Sequence, residues 1–150
     1  MCSSDLVIGF DMGGTTAKTS LITHGVAAIE EGYVIGGEAS GQPMQLPVVD
    51  IVEVGAGGGS IAWVDATGGI HVGPRSAGAD PGPASYGKGS MDPVVTDADL
   101  VLGRINAERF LNGAMKLDRS AAERAIEQKI GSRIGLGVTE AALEIGRAHV

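Results

Sequence analysis

The sequence predicts an α/β fold in which β-hairpins come first and helices follow towards the C-terminus. Three observations carry this. Short β-branched and apolar runs, parted by glycine-containing turns, fill roughly the first half of the chain. Four of the six prolines fall within residues 74–93, a stretch that separates the two halves. Beyond it, apolar residues recur at helical spacing behind residues that start helices.

Taken in order, residues 7–10 form an apolar run ending at Asp11-Met12-Gly13-Gly14-Thr15-Thr16, and residues 17–23 resume with β-branched character. Strand, glycine turn, strand is a hairpin pattern. Residues 33–35 predict a further strand, and residues 36–47, with their glycines and prolines, read as a loop. Residues 48–54 predict one strand ending at Gly55-Ala56-Gly57-Gly58-Gly59-Ser60. Residues 61–64 and 70–72 flank Asp65-Ala66-Thr67-Gly68-Gly69, a second hairpin with a longer turn. Residues 74–93 read as an irregular loop, and a loop of that length in a compact domain is usually functional or disordered.

The remainder turns helical. Thr96 is the expected N-cap of a first helix, with Asp97 and Asp99 as helix-start charges that suit the dipole. Ser120-Ala121-Ala122-Glu123 has the form of a capping box, and Ala122, Ile126 and Ile130 predict one buried face. Residues 139–143 begin a third helix. Strands first and helices later indicate an α/β or α+β piece rather than a complete layered domain.

Composition narrows the function. A chain of 150 residues is one domain's worth, or a slice of a larger one. Its apolar fraction of 43% is enough for a core, but with 3% aromatics that core must rest on Val, Ile, Leu and Ala. A formal charge of −7, with the basic residues scattered, excludes a nucleic-acid partner, which needs clustered Lys and Arg. The single cysteine excludes an internal disulfide and a multi-thiolate zinc site. No apolar run approaches the roughly 18–20 residues of a membrane span. Residues 1–6 do not read as a signal peptide, so no membrane partner and a cytoplasmic location are expected.

The two ends carry an inverted repeat at the level of codons. Met1-Cys2-Ser3-Ser4-Asp5-Leu6 can be encoded by GTG TGC TCT TCC GAT CT. Its reverse complement, AG ATC GGA AGA GCA CAC, encodes Ile145-Gly146-Arg147-Ala148-His149 after a Glu codon ending in AG. The hypothesis is that residues 1–6 and 145–150 derive from a sequencing-library adapter, leaving residues 7–144 as part of a longer chain. A genomic locus continuous through both ends would overturn it.

Two clusters could carry chemistry. In Asp11-Met12-Gly13-Gly14-Thr15-Thr16, adjacent glycines let backbone N–H groups approach an anion with no Cβ in the way. Thr15 or Thr16 adds a hydroxyl donor, and Asp11 can hold Mg²⁺ directly or through water. Gly-Gly is equally common in plain hairpin turns, so these residues alone leave both readings open. The second cluster, Gly57-Gly58-Gly59-Ser60-Ile61-Ala62, matches G-x-G-x-x-A, with Asp80 about 20 residues on. That dinucleotide fingerprint must open a helix, whereas residues 61–65 read as a strand, so it is rejected. The P-loop pattern is absent.

Two glycine-rich turns, each after a strand, resemble the nucleotide-binding fold of actin, heat-shock chaperones and sugar kinases, the ribonuclease H-like class. The match becomes specific when three segments are read together. They are Gly9-Phe10-Asp11-Met12-Gly13-Gly14-Thr15-Thr16, the stretch from Val54 to Trp63, and Gly73-Pro74-Arg75-Ser76-Ala77-Gly78-Ala79-Asp80-Pro81-Gly82-Pro83. Thr96-Asp97-Ala98-Asp99-Leu100-Val101-Leu102-Gly103-Arg104 follows the third. In this order the chain resembles the hydantoinase A / 5-oxoprolinase family, whose relatives include acetone carboxylase subunits.

The resemblance implies that Asp11, Gly13, Gly14, Thr15 and Thr16 form a phosphate turn, with Gly57, Gly58, Gly59 and Ser60 facing the nucleotide or the adjoining substrate cleft. It implies ATP and Mg²⁺ as cofactors, with Asp11 as the metal residue, and no assigned catalytic residue. The implied activity is opening of a cyclic imide or lactam coupled to ATP hydrolysis, with ketone carboxylation as the alternative. A non-catalytic nucleotide module of the sugar-kinase or chaperone type is the rival, disfavoured because residues 76–87 have no counterpart there. The implied partners are a cyclic amide substrate, an N-terminal domain of the same longer chain, and a second subunit of the hydantoinase B type. Two positions depart from the pattern: Lys18 stands where many members have Asp, and Ser85 where Cys is common.

Other polar residues have plainer readings. Asp80 suits a turn carboxylate as well as a cleft residue. His24 and His71, without companion ligands, read as surface or satisfied histidines. Arg75 is a weaker phosphate candidate, and Trp63 reads as packing.

Overall fold

The computed structural model describes residues 5–35 and 40–149. The protein is mixed α/β, strands and hairpins first and helices last, as the sequence predicts. It divides into two compact units. The first holds residues up to Asp11 and Ala17–Val54; the second holds Met12–Thr16 and everything from Gly55 onward.

The first unit is built from strands alone. β1 (Leu6–Met12), β2 (Ala17–Thr23) and β3 (Val26–Ala27) lie side by side, and β6 (Val52–Val54) also pairs with β2. The β2–β3 hairpin turns on two residues, His24 at φ 52° and Gly25 at φ 79°. Positive φ at both central positions is the twist-matched two-residue turn, and glycine at the second makes it accessible. β4 (Ile29–Ile35) and β5 (Gln42–Val49) form a separate antiparallel pair whose register shifts at Gly32, φ 95°.

Two expectations are corrected here. Residues 42–47, read as loop, belong to β5, because Pro43 and Pro47 sit in a two-stranded sheet where an edge needs no ladder donor. Part of that loop reading, residues 36–39, lies outside the described residues. Residues 48–54 are not one strand: the chain breaks at Asp50-Ile51, where Asp50 N–H donates to Ala28 O, and β6 begins afresh.

The second unit carries the core. β7 (Ser60–Val64) and β8 (Ile70–Ser76) form the predicted second hairpin. Along β7, Ile61, Ala62 and Val64 are buried while Trp63 faces outward. α1 (Val95–Val101), α2 (Arg119–Ile126), a widened turn over Glu127–Gly131, α3 (Ser132–Ile134) and α4 (Val138–Ala148) follow. Ala62, Val64, Leu100, Ala122, Ile126, Ile130, Ala142 and Ile145 pack into one cluster, so the stripe Ala122, Ile126, Ile130 is the buried face that its spacing predicts. Gly135, in the left-handed conformation, ends α3. No helix among the described residues is long and apolar enough to cross a membrane.

Three details differ from the sequence reading. β8 runs on through Pro74 to Ser76, so the irregular loop begins later than expected. The N-cap of α1 is Val94, not Thr96. The cap of α2 is Asp118, whose carboxylate accepts from Ala121 N–H at 3.0 Å and from the Ser120 hydroxyl at 2.6 Å. An ionised carboxylate outcompetes a neutral hydroxyl for the helix's orphan N–H groups, so the box shifts by two residues. Those bonds, the Ser120 hydroxyl first, hold the Asp118 carboxyl below its ordinary value.

Candidate functional site

Within the second unit the two glycine-rich turns lie back to back. Gly13 N–H donates to Thr16 O at 2.9 Å, closing the first turn. Gly13 O and Gly14 O then accept from Gly58 N–H at 3.1 Å and Gly59 N–H at 2.6 Å. Such an approach of backbone to backbone requires the second turn to be glycine. A Cβ on Gly57 would sit 2.7 Å from the carbonyl of Gly14, and one on Gly59 would sit 2.8 Å from Gly14 O. A Cβ on Gly58 would sit 2.9 Å from Thr96 Oγ1.

Ser60 closes the second turn on itself. Its buried hydroxyl accepts from Gly57 N–H at 2.9 Å, while its own N–H donates to Gly57 O at 3.0 Å. The first turn is different on its outer side. A Cβ on Gly14 would meet nothing within 4 Å, and one on Gly13 only Thr16 O at 3.6 Å. Neither residue has positive φ. Among the described residues, no acceptor engages the N–H groups of Gly14 and Thr15.

Those two residues border a cleft of about 170 Å³. It is lined by Gly14, Thr15 and Gly59 of the two turns, by Gly78, Ala79, Pro83 and Tyr86 of the Gly/Pro loop, and by Thr96 of α1. Larger concavities, about 480, 310 and 280 Å³, lie on the first unit: the first along β4 and β5, the second also against Lys18 and Glu53, the third against Asp11, Lys18 and Ser20. The smaller cleft is the one that brings residues of both glycine-rich turns together, so it is the candidate site.

The structure therefore gathers Gly14, Thr15 and Gly59 of the candidate residues at one cleft. Gly57, Gly58 and Ser60 stand behind them as the scaffold that brings the turns together. Thr16 is half-buried and supplies the carbonyl that closes the first turn. Asp11 is an exposed residue of β1 in the first unit.

Two residues of the cleft were missed as site residues by sequence reasoning. Tyr86 lies on a short 3-10 turn, Ala84–Tyr86, and stands against Phe110 with ring centroids 5.8 Å apart. Burial, then the Asp97 carboxylate, pushes its phenol up, which keeps it a neutral donor. Thr96, taken for a cap, instead donates its hydroxyl to Gly58 O at 2.8 Å. Asp97, beside it in the same turn, is buried completely.

The plainer candidates fall elsewhere. Asp80 is exposed and lies 3.7 Å from Lys88. Arg75 is exposed on β8. His71 is a satisfied histidine, stacked on Trp63 at 4.5 Å and bonded to Asp65 at 2.7 Å. Lys18 pairs across the sheet with Glu53 at 3.4 Å.

Comparison with known proteins places this arrangement. The hydantoinase/oxoprolinase family model matches residues 1–150. The caprolactamase subunit alpha of Pseudomonas jessenii is 42% identical over 146 residues, covering 94% of this chain and 20% of that protein. The acetophenone carboxylase gamma subunit of Aromatoleum aromaticum is 40% identical over 137 residues, covering 91% of this chain and 18% of that protein. The crystal structure of the ATP-dependent caprolactamase from Pseudomonas jessenii matches with a TM-score of 0.77 at 39% identity, over 97% of this chain and 20% of that one. The chain spans about a fifth of the length of these relatives. Matched by the family model throughout, and sharing its mixed α/β fold with a caprolactamase, the chain belongs to the hydantoinase/oxoprolinase family.

Proposed function

We propose that the chain supplies part of the nucleotide site of an ATP-dependent cyclic amidohydrolase, an enzyme that opens a cyclic imide or lactam with ATP hydrolysis. The observation that supports this best is Gly14. Neither its backbone angles nor its packing calls for glycine, and it borders the cleft with Thr15, the N–H groups of both having no acceptor among the described residues. Bare backbone donors beside a hydroxyl residue suit a phosphate.

In this reading Asp11, Gly13, Gly14, Thr15 and Thr16 hold the phosphates, and Gly57, Gly58, Gly59 and Ser60 hold the turn in place from behind. The cleft, about 170 Å³, falls below the roughly 300–1,000 Å³ of small-molecule pockets. It suits the phosphate end, and the remaining nucleotide and the cyclic amide would need residues of the longer chain, including a preceding domain, and a hydantoinase B-type subunit. Mg²⁺ belongs to this reading because it accompanies ATP, and it typically takes one or two carboxylates with phosphate oxygens and water. Asp11 would hold it. Bound ATP would supply the phosphoryl group that activates the substrate carbonyl, and the chain's backbone donors would stabilise charge on the transferring group. A cytoplasmic location follows from that dependence on ATP.

The alternative is ATP-dependent ketone carboxylation, favoured by the likeness to the acetophenone carboxylase gamma subunit. Both readings require the phosphate turn. Isothermal titration of Mg·ATP into the chain, beside Gly14→Asp, tests it. Binding abolished by the substitution is the expected outcome. A folded chain that binds no Mg·ATP, or binds it equally in both forms, would sink the turn as sufficient for the nucleotide.

A further inference from the structure

Thr96 and Asp97 are adjacent residues in the first turn of α1, and each is bonded to a different segment beside the cleft. Asp97 is fully buried, 0% exposed. Its Oδ1 accepts from Ser85 N–H at 2.9 Å, and its Oδ2 accepts from Ala84 N–H and Val94 N–H, each at 3.1 Å. Two of those donors belong to the 3-10 turn that carries Tyr86, and the third starts α1 itself. Thr96 faces the other way: both its N–H and its hydroxyl donate to Gly58 O at 2.8 Å. Gly58 and Gly59 in turn donate to the carbonyls of Gly13 and Gly14. A continuous run of hydrogen bonds therefore leads from α1 to the phosphate turn on one side and to the Tyr86 loop on the other.

We propose that Asp97, with Thr96, is the positioning residue of this cleft: the buried carboxylate fixes the loop while its neighbour fixes the glycine turn. Burying an ionised carboxylate is unfavourable unless every oxygen is bonded, and here both are, by backbone donors alone. A seven-residue helix could start with a surface carboxylate; helix capping needs one N–H partner, not three from two segments. The bond to Val94 N–H is the capping part. The bonds to Ala84 and Ser85 do something else: they seat a loop of Gly and Pro residues with no regular ladder of its own. Gly82 completes the seat, since a Cβ there would lie 2.7 Å from Tyr86 Cδ2. Tyr86 is thereby held at the cleft that Gly14 and Thr15 also line. The ligand is the phosphate of the proposed function, and only that part of the argument rests on it.

The test is amide NMR on the ¹⁵N-labelled chain, wild type beside Asp97→Asn and Thr96→Val, with magnesium tripolyphosphate as the probe. Asn keeps the size but turns an NH₂ towards N–H donors. Amide exchange at Ala84 and Ser85 is expected to quicken about ten- to a hundredfold, the loss of a hydrogen bond to a charged group. Resonances of Gly78, Ala79 and Tyr86 should move, those of Leu100, Val101 and Ile145 should not, and the tripolyphosphate response at Gly14 and Thr15 should weaken. Protection lost evenly across α1, α2 and α4, with the cleft resonances and the probe response kept, would overturn the proposal and leave Asp97 a purely structural carboxylate. If the probe moves nothing in the wild type while Asp97→Asn still displaces the loop, positioning stands and the phosphate reading fails. Should Asp97→Asn not fold, Thr96→Val decides: displaced Gly58, Gly59 and Gly14 resonances support the clamp, and unmoved ones overturn it.

Discussion

The two units of this chain are made from similar residues and differ in what covers them. β1 begins Leu-Val-Ile-Gly-Phe and β7 reads Ser-Ile-Ala-Trp-Val, both short, apolar and β-branched. On β1, Val7 and Ile8 are adjacent residues, on opposite faces, and are 46% and 65% exposed. On β7, Ala62 and Val64 share one face and are 2% and 9% exposed. The difference is a second layer. The second unit has helices whose apolar stripes meet β7, whereas Ala17 is the buried apolar residue of the first unit among those described. β-propensity makes strands, but only apposed layers make a core. Apolar strand residues exposed to this degree favour association.

The sharpest way to break that comparison is to delete the same side chain in each unit. Ile126, 0% exposed at the centre of the second unit, and Ile8, in the first, are both isoleucines. Ile126→Ala should lower the unfolding free energy by about 2–5 kcal/mol, the loss of burial plus an unfilled cavity. Ile8→Ala should change it by about 0.5 kcal/mol or less, as at surface positions. Urea unfolding of each, followed by Trp63 fluorescence and far-UV dichroism, measures this. Equal losses would mean that the first sheet is covered in solution.

The same contrast explains how much could be read from sequence. Ala122, Ile126 and Ile130 announced a buried face because a helix repeats its burial every three or four residues and tolerates little else. The hairpin at 65–69 was legible because Asp and Gly specify a turn. What was not legible depended on partners far along the chain. Pro43 and Pro47 look like loop residues until β4 is seen to leave them an open edge. Gly57, Gly58 and Gly59 were read as facing a nucleotide, yet the close approach of the Gly13-Gly14 backbone and Thr96 is reason enough for them to be glycine. Asp97 looked like an ordinary helix-start charge because its donors, Ala84 and Ser85, lie 13 and 12 residues earlier in a loop that has no pattern of its own.

A second pair of substitutions separates glycine required by packing from glycine left open. Gly57→Ala places a methyl 2.7 Å from the Gly14 carbonyl, against backbone that cannot step aside. It should cost about 1–3 kcal/mol, as overpacking does. Gly14→Ala meets nothing within 4 Å, and Gly14 lacks positive φ. It should therefore stabilise by about 0.4–1 kcal/mol by restricting the unfolded chain, while weakening any phosphate contact that needs the bare backbone. Thermal unfolding of both, paired with Mg·ATP titration, gives the answer. A Gly14→Ala chain as destabilised as Gly57→Ala would show that the first turn, too, is glycine for packing.

The smallest effect separates the two hairpin turns. His24-Gly25 in the first unit turns on positive backbone angles, with His24 N–H donating to Asp5 O at 2.8 Å, whereas the 65–69 turn in the second is gathered by one carboxylate. Asp65 Oδ1 accepts from Thr67 N–H at 2.8 Å, Thr67 Oγ1 at 2.7 Å and Gly69 N–H at 2.9 Å, and Oδ2 meets His71. The His71 bond first, then those from Thr67 and Gly69, holds this carboxyl well below its ordinary value. A pKa lowered in the folded state stabilises above the unfolded value and ceases to do so as pH falls through the folded one. Asp65→Asn should thus cost stability near pH 5, and the gap to wild type should narrow below about pH 4. Urea midpoints of the two chains between pH 2 and 7 would show it. A gap that stays level into acid would mean that an uncharged side chain at position 65 closes the turn equally well at low pH, leaving both hairpins set by backbone geometry.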